Sequence, residues 1–344
     1  MSVLAARSSP SSEKTFSMIS KRKKIFIFIL IVFAAIYLIA ANLVVEAALV
    51  PSFMEKLDSF STFTEKGYAE QVYTDDIVTN EAAARSKTSE WLSSVEWRKL
   101  AAESHDGYRL IAAEFKQDDP AAPWALLLHG YTGWKEELYD KALMFYERGY
   151  SVLVPDLRCS GESEGNYIGM GWLDRDDNKL WLKYILTQSP DSDIVIFGQS
   201  MGASATLIMA AEELPANVKA CICDSAFRDP IELFKNKVKD WTGLPSFGLI
   251  DTANLMLQIR GGYDLHDAAA LKAAGRARLP VLFIQGTEDK IVPQDNVYDL
   301  YDACVSDKDI LVVEGAGHCQ SCEKAPELYE TTIFEFIDRH LASR

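Results

Sequence analysis

The sequence predicts an α/β fold: a mostly parallel central sheet with helices on both faces, preceded by one N-terminal transmembrane helix. Three observations carry this expectation. Short continuous apolar runs alternate with helix-patterned stretches from about residue 95 onward. An uncharged run, Ile25 to Val45, stands directly behind the basic cluster Lys21-Arg22-Lys23-Lys24. One long apolar connection, from about 228 to 278, interrupts the alternation and reads as a small helical cap.

The N-terminus comes first. At 1.5 Å rise per residue, Ile25 to Val45 matches the ~30 Å hydrocarbon core of a bilayer. Residues 1–24 carry six cations against one anion, and the flank beyond Val45 begins with Glu46. The positive-inside rule then predicts a cytoplasmic tail (1–24), a signal anchor (25–45) and an extracytoplasmic body at the cell membrane. A cleaved signal peptide is the alternative, since Val45-Glu46-Ala47 is a passable cleavage site. The apolar run exceeds the usual ~7–15 residues of such peptides, which favours an uncleaved anchor. Residues 46–94 are Ala/Glu/Lys-rich without turn clusters and are expected to form a helical stalk or lead-in.

The catalytic domain is placed at 95–344. Trp97–Glu103 and Tyr108–Phe115 flank Asp106-Gly107, a hairpin signal. Buried strands are then expected at Ala125–His129, Ser151–Pro155, Asp193–Phe197, Val218–Cys223, Val281–Gln285 and Ile310–Glu314. Helices are expected near Lys135–Arg148, Leu173–Thr187, Met201–Leu214, Asp295–Cys304 and Pro326–Ala342, with Gly149 stopping the first. Strand-helix alternation of this length implies a parallel sheet covered on both faces. The cap would include Leu233, Phe234, Trp241, Leu244, Phe247, Leu249, Ile250, Leu255 and Met256. Its covering of a substrate is one reading; packing on the sheet edge is the other.

Composition narrows the function. With 344 residues, 48% of them hydrophobic, one large core is affordable and three domains are not. The net charge is −15, and the basic N-terminus makes the remainder more acidic still. Such a body repels phosphate backbones, so nucleic acid is not an expected partner. The six cysteines include Cys319 and Cys322 at CxxC spacing, but no second pair follows to complete a zinc site. Cys221 and Cys223 alternate with apolar residues in a strand and read as small core residues.

The chemistry centres on Gly198-Gln199-Ser200-Met201-Gly202, a G-x-S-x-G placed after an apolar strand and before a helix. That context is what a nucleophile elbow requires. Side chains at 198 and 202 would clash in so tight a turn. The hydroxyl of Ser200 is then presented at the carboxyl end of the sheet, with the backbone N–H of Met201 aimed at a developing oxyanion. A serine needs a base, and the chain has five histidines. His318 follows the last apolar strand and falls at the same sheet edge. His105 and His340 are expected at the surface, while position alone does not exclude His266. Asp289, after the strand Val281–Gln285, is the expected partner of the imidazole; the adjacent Glu288 competes for that role. The order Ser200, Asp289, His318 matches the fold. The loop His129-Gly130-Tyr131-Thr132-Gly133 would supply the second oxyanion donor through the N–H of Tyr131, with Gly130 as a loop glycine beside it and His129 bracing the loop.

These strings resemble the α/β-hydrolase superfamily, and within it the bacterial membrane-anchored hydrolases of the serine aminopeptidase-like group. The resemblance also rests on Ser104-His105-Asp106-Gly107, Pro155-Asp156-Leu157-Arg158, Gly161-Glu162-Ser163, Gly169-Met170-Gly171-Trp172, Asp289-Lys290-Ile291-Val292-Pro293 and Gly315-Ala316-Gly317-His318. It covers about 95–344. It implies an α/β-hydrolase fold with Ser200, Asp289 and His318 as the triad. One departure is Cys159-Ser160, where many relatives carry Gly-His. Another is Cys319 with Cys322, which as a disulfide could restrain the histidine loop. The expected activity is cleavage of an acyl ester or thioester on a small or lipid-like substrate, through an acyl-enzyme and with no metal or organic cofactor. An aminopeptidase-like serine peptidase is the alternative, and a membrane-anchored non-catalytic binding module the second.

Overall fold

The computed structural model describes residues 21–54, 71–242, 246 and 248–341. Residues 1–20 of the expected basic tail, 55–70 of the expected stalk, and Leu244 and Phe247 of the expected cap lie outside these, and the side chain of Trp241 is likewise not described.

The sequence enters as one helix, α1 (Lys21–Leu49), with no glycine or proline to interrupt it. Proline at 51 opens the next short helix, α2 (Pro51–Met54), where its missing N–H is harmless. Two halves of α1 differ sharply. Every large apolar side chain from Ile25 to Ile39 is exposed, whereas Ala41, Val45 and Leu49, four apart on one face, are buried. The helix is long and apolar enough to be a candidate membrane span. Its end is more than a span, because it docks on the body.

The stretch expected as a helical stalk or lead-in is helical over its described second half. Helix α3 (Asp75–Ser94) lies against the sheet rather than standing away from it. Ile77 is buried, the Trp91 ring sits 4.6 Å from that of Phe115, and Asn80 donates to the Glu323 carbonyl at 2.8 Å. A lone aromatic such as Trp91 on an otherwise polar helix needs such a partner, and the sheet face supplies it.

Eight strands follow: β1 (Trp97–Glu103), β2 (Arg109–Phe115), β3 (Trp124–Leu128), β4 (Ser151–Pro155), β5 (Ile194–Gln199), β6 (Val218–Asp224), β7 (Val281–Gly286) and β8 (Lys308–Val313). Their order is β1-β2-β4-β3-β5-β6-β7-β8. The β1–β2 and β2–β4 pairs are antiparallel and the rest parallel. The chain winds one way from β3 to β4, then returns past β3 to β5. This reversal opens a crevice between the carboxyl ends of β3 and β5, the usual place for a ligand in such a sheet.

Strand alternation builds two cores. Ile194 and Ile196 of β5 face one side, and Val195 and Phe197 the other. Helices α4 (Tyr139–Glu147) and α12 (Pro326–Leu341), with α3, cover the second side. The first side carries α5 (Asp174–Gln188), α6 (Met201–Ala210) and the end of α1. Helix α6 stops at Ala210, short of the expected Leu214. Between β6 and β7 lie α7 (Pro230–Thr242), α8 (Leu249–Gly261) and α9 (Ala270–Ala274). α8 runs beside the end of α1: Thr252 faces Tyr37 at 3.3 Å, and Arg260 reaches Asn42 at 2.5 Å and Glu46 at 2.6 Å. The remaining helices are α10 (Asp295–Ala303) and the short α11 (Ser321–Lys324).

Candidate active site

Ser200 stands between β5 and α6 with φ 54° and ψ −114°, backbone angles that an L-residue adopts only under constraint. The constraint is steric crowding. A methyl group at Gly198 would lie 2.2 Å from the Gly202 carbonyl oxygen, and one at Gly202 would lie 2.0 Å from that of Leu128. Only hydrogen fits at either position, so β3, β5 and α6 meet at van der Waals distance around the turn. The Ser200 N–H donates to the Asp224 carbonyl at 2.8 Å, tying the elbow to β6. Thr132, Ser225 and Cys319 also have positive φ, and their loops converge on the same edge.

The structure brings Ser200, His318 and Asp289 into one hydrogen-bonded chain. The Ser200 hydroxyl donates to His318 Nε2 at 2.9 Å, and His318 Nδ1–H donates to Asp289 Oδ2 at 2.7 Å. Asp289 is held in turn: its Oδ1 accepts the N–H groups of Ile291 and Val292 at 2.9 and 2.8 Å, and its Oδ2 accepts Gln285 Nε2 at 2.7 Å. Its side chain is fully buried, whereas Glu288 is exposed. Of the two adjacent carboxylates, only Asp289 reaches the imidazole. Burial disfavours the charged form of His318, but the Asp289 carboxylate beside it outweighs this and lifts the imidazole well above its usual 6.5.

The other histidines lie elsewhere. His129 is completely buried; its Nδ1–H donates to the Gly130 carbonyl at 2.8 Å and its Nε2 accepts the Leu157 N–H at 2.9 Å. Burial pushes it down to about 4, so it stays neutral and braces the loop. His105 is exposed, His266 pairs with Asp264 at 2.8 Å, and His340 bonds the Phe336 carbonyl in α12.

The loop after β3 closes over the serine. A methyl at Gly130 would come within 3.4 Å of Ser200 Cβ, so this loop and the elbow are in direct contact. Met201 opens α6, where an N–H has no carbonyl in a preceding turn to bond. Beside the imidazole lies a cavity of about 850 Å³, lined among others by Glu81, Glu136, Glu137, Asp140, Gln199 and His318.

Sequence reasoning missed several supporting groups. Gln285 aligns Asp289, and the buried Asp224 accepts from Tyr329 Oη at 2.8 Å and Ser225 Oγ at 2.9 Å behind the elbow. The signal for both was available: a lone polar residue closing an apolar strand. The Cys319–Cys322 disulfide is not formed; all six cysteines are free thiols. Cys319 instead donates its backbone N–H to Ser225 Oγ at 3.2 Å.

Residues 123–251 match the family model described as the alpha/beta hydrolase fold. Among curated proteins, the uncharacterized protein YqkD of Bacillus subtilis is 28% identical over 196 residues, 57% of this chain and 64% of its own length. The chain thus spans just under two thirds of that relative. The uncharacterized protein YfhR of Escherichia coli (strain K12) is 23% identical over 239 residues, 67% of this chain and 77% of its own. Among solved structures, the Pyrococcus furiosus esterase Pf2001 superposes with a TM-score of 0.58 at 22% identity, covering 72% of this chain and 92% of that one. Est1E of Butyrivibrio proteoclasticus, solved with ferulic acid bound, gives 0.56 at 19% identity over 71% and 100%. The chain has the α/β-hydrolase fold.

Proposed function

We propose that the chain is a serine hydrolase that cleaves an acyl ester, with Ser200 as nucleophile, His318 as general base and Asp289 as the group that orients it. The observation that carries this reading is the continuous bond chain Ser200–His318–Asp289 on a strained elbow. In it the neutral imidazole has its Nε2 lone pair on the serine and its proton on the aspartate. As Ser200 Oγ attacks the acyl carbon, its proton passes to His318 Nε2. The carbonyl electrons collect on oxygen, where the Met201 and Tyr131 N–H groups stabilise them. The C–O bond to the alcohol breaks as His318 returns the proton to it. Water repeats the sequence and frees the acid. Ester in preference to amide draws support from a neighbour of the same fold whose structure is described as an esterase, Pf2001 of Pyrococcus furiosus.

The N-terminal helix supports a second part of the proposal, that the enzyme stays attached to the membrane through α1 with its N-terminus cytoplasmic. Ala41 and Val45 are packed into the body, so removal at Val45-Glu46-Ala47 would strip apolar surface that the fold uses. A peptidase reading has one observation in its favour: the carboxylate of Glu137 lines the cavity beside His318, where a substrate amine could bind, although those of Glu136 and Asp140 are already paired with Lys135 and Lys141.

The test is turnover of p-nitrophenyl esters against aminoacyl anilides by the full chain, with Ser200→Ala alongside. Esters should be hydrolysed and anilides hardly at all. The alanine variant should lose about 10⁶-fold in kcat. Ester turnover surviving in Ser200→Ala sinks the mechanism, and preference for anilides replaces esterase with peptidase.

A further inference from the structure

A helix leaves its last four carbonyls without partners inside the helix. In α1 these belong to Glu46, Ala47, Ala48 and Leu49. Glu46 accepts the Val50 N–H at 3.3 Å. Two others are satisfied from far along the chain: Ala48 accepts the Tyr131 hydroxyl, and Leu49 accepts the Ile168 N–H at 2.9 Å. The same helix end is fixed from the side by Arg260, through Asn42 and Glu46, and from beneath by Ala41, Val45 and Leu49.

Tyr131 therefore has one end on α1 and the other beside Ser200. Its neighbour Gly130 is in contact range of the serine, and Thr132, which follows, is held at φ 56°. A loop in such a conformation relaxes unless its surroundings hold it. Enclosure of the phenol pushes its ionisation up, so it remains a donor across working pH. An oxyanion donor is worth most when its direction is set before the reaction begins, and small displacements cost much of the effect.

We infer that the last turn of α1 is a working part of the oxyanion hole, with the Tyr131 hydroxyl, held by the Ala48 carbonyl, as the positioning group for the N–H of residue 131. This rests on Ser200 being the nucleophile. The anchor helix does more than hold the enzyme in place; it sets the geometry of one half of the site.

The test uses the full chain in detergent micelles and p-nitrophenyl ester hydrolysis, comparing the native sequence with Tyr131→Phe, Arg260→Ala and Ser200→Ala. Tyr131→Phe keeps the ring and the backbone N–H and removes only the tether. It should lower kcat about tenfold, leave KM within about twofold, and leave the pH profile in place. Arg260→Ala loosens the same helix without touching the loop and should lower kcat by a smaller factor. Turnover retained in Ser200→Ala overturns the nucleophile itself. With Ser200→Ala inactive, a native kcat in Tyr131→Phe overturns the positioning role alone, and so does a rise confined to KM. Should thermal melting show Tyr131→Phe unfolded, Arg260→Ala decides: a reduced kcat supports the inference and a native kcat overturns it.

Discussion

The two proposed oxyanion donors are held in opposite ways. The Met201 side is built from its own neighbours: Gly198 and Gly202 leave no room for a side chain, and the turn can sit only where β3 and α6 allow. The Tyr131 side is a loop with a strained residue, and its outer end is fastened to a helix 83 residues earlier. One half of the hole is fixed by close packing of buried backbone around the turn. The other depends on a long-range contact and can be loosened without unfolding the body.

Four experiments press on that contrast. The largest effect belongs to the chain that serves both halves. Asp289→Asn should leave the fold intact and lower kcat about 10⁴-fold, because the imidazole would no longer be held in the productive tautomer. Steady-state kinetics beside a circular dichroism melt checks both parts. Next, Gly202→Ala forces a methyl to 2.0 Å from the Leu128 carbonyl oxygen. Overpacking of this kind should destabilise by about 3 kcal/mol, read as a lower urea midpoint, whereas Tyr131→Phe should shift it far less. Equal shifts would erase the distinction between the halves.

The third concerns pH. His318 must be neutral to take a proton, so activity is full above its pKa and falls tenfold per unit below it. Because Asp289 raises that value, the acid limb of kcat/KM should lie above the ordinary 6.5. A limb at or below 6.5 would mean that Asp289 does not hold the imidazole during turnover. The smallest effect is expected from Glu288→Gln, within about twofold in kcat, since that carboxylate is exposed and Asp289 already holds the imidazole. A loss like that of Asp289→Asn would reassign the orienting group.

The same contrast explains what was legible in the sequence. Elbow, base and carboxylate can be read because each lies just beyond a buried strand, and strand ends share one edge of a parallel sheet. Asp289 could be preferred to Glu288 by position, but not proved; the paired N–H groups of Ile291 and Val292 that seat it appear only in three dimensions. The docking of α1 was not legible at all. When every face of a helix is apolar, periodicity cannot single out Ala41, Val45 and Leu49 as the buried stripe. How the helical lead-in would seat was not legible for a related reason: Trp91 and Ile77 are few and widely spaced, and Trp91 finds its partner on the sheet.

The unbroken course of α1 has a kinematic consequence. From Leu43, the last of its exposed large apolar residues, to Ala48 is about 7.5 Å of straight helix. A flexible linker would let the body tumble and reach in all directions. A strut seated in the body removes that freedom. For an enzyme spanning the bilayer through α1, the serine then keeps a constant height and tilt above the lipid surface. Only lateral diffusion and spin about the membrane normal remain, so its encounters are counted per unit area rather than per unit volume.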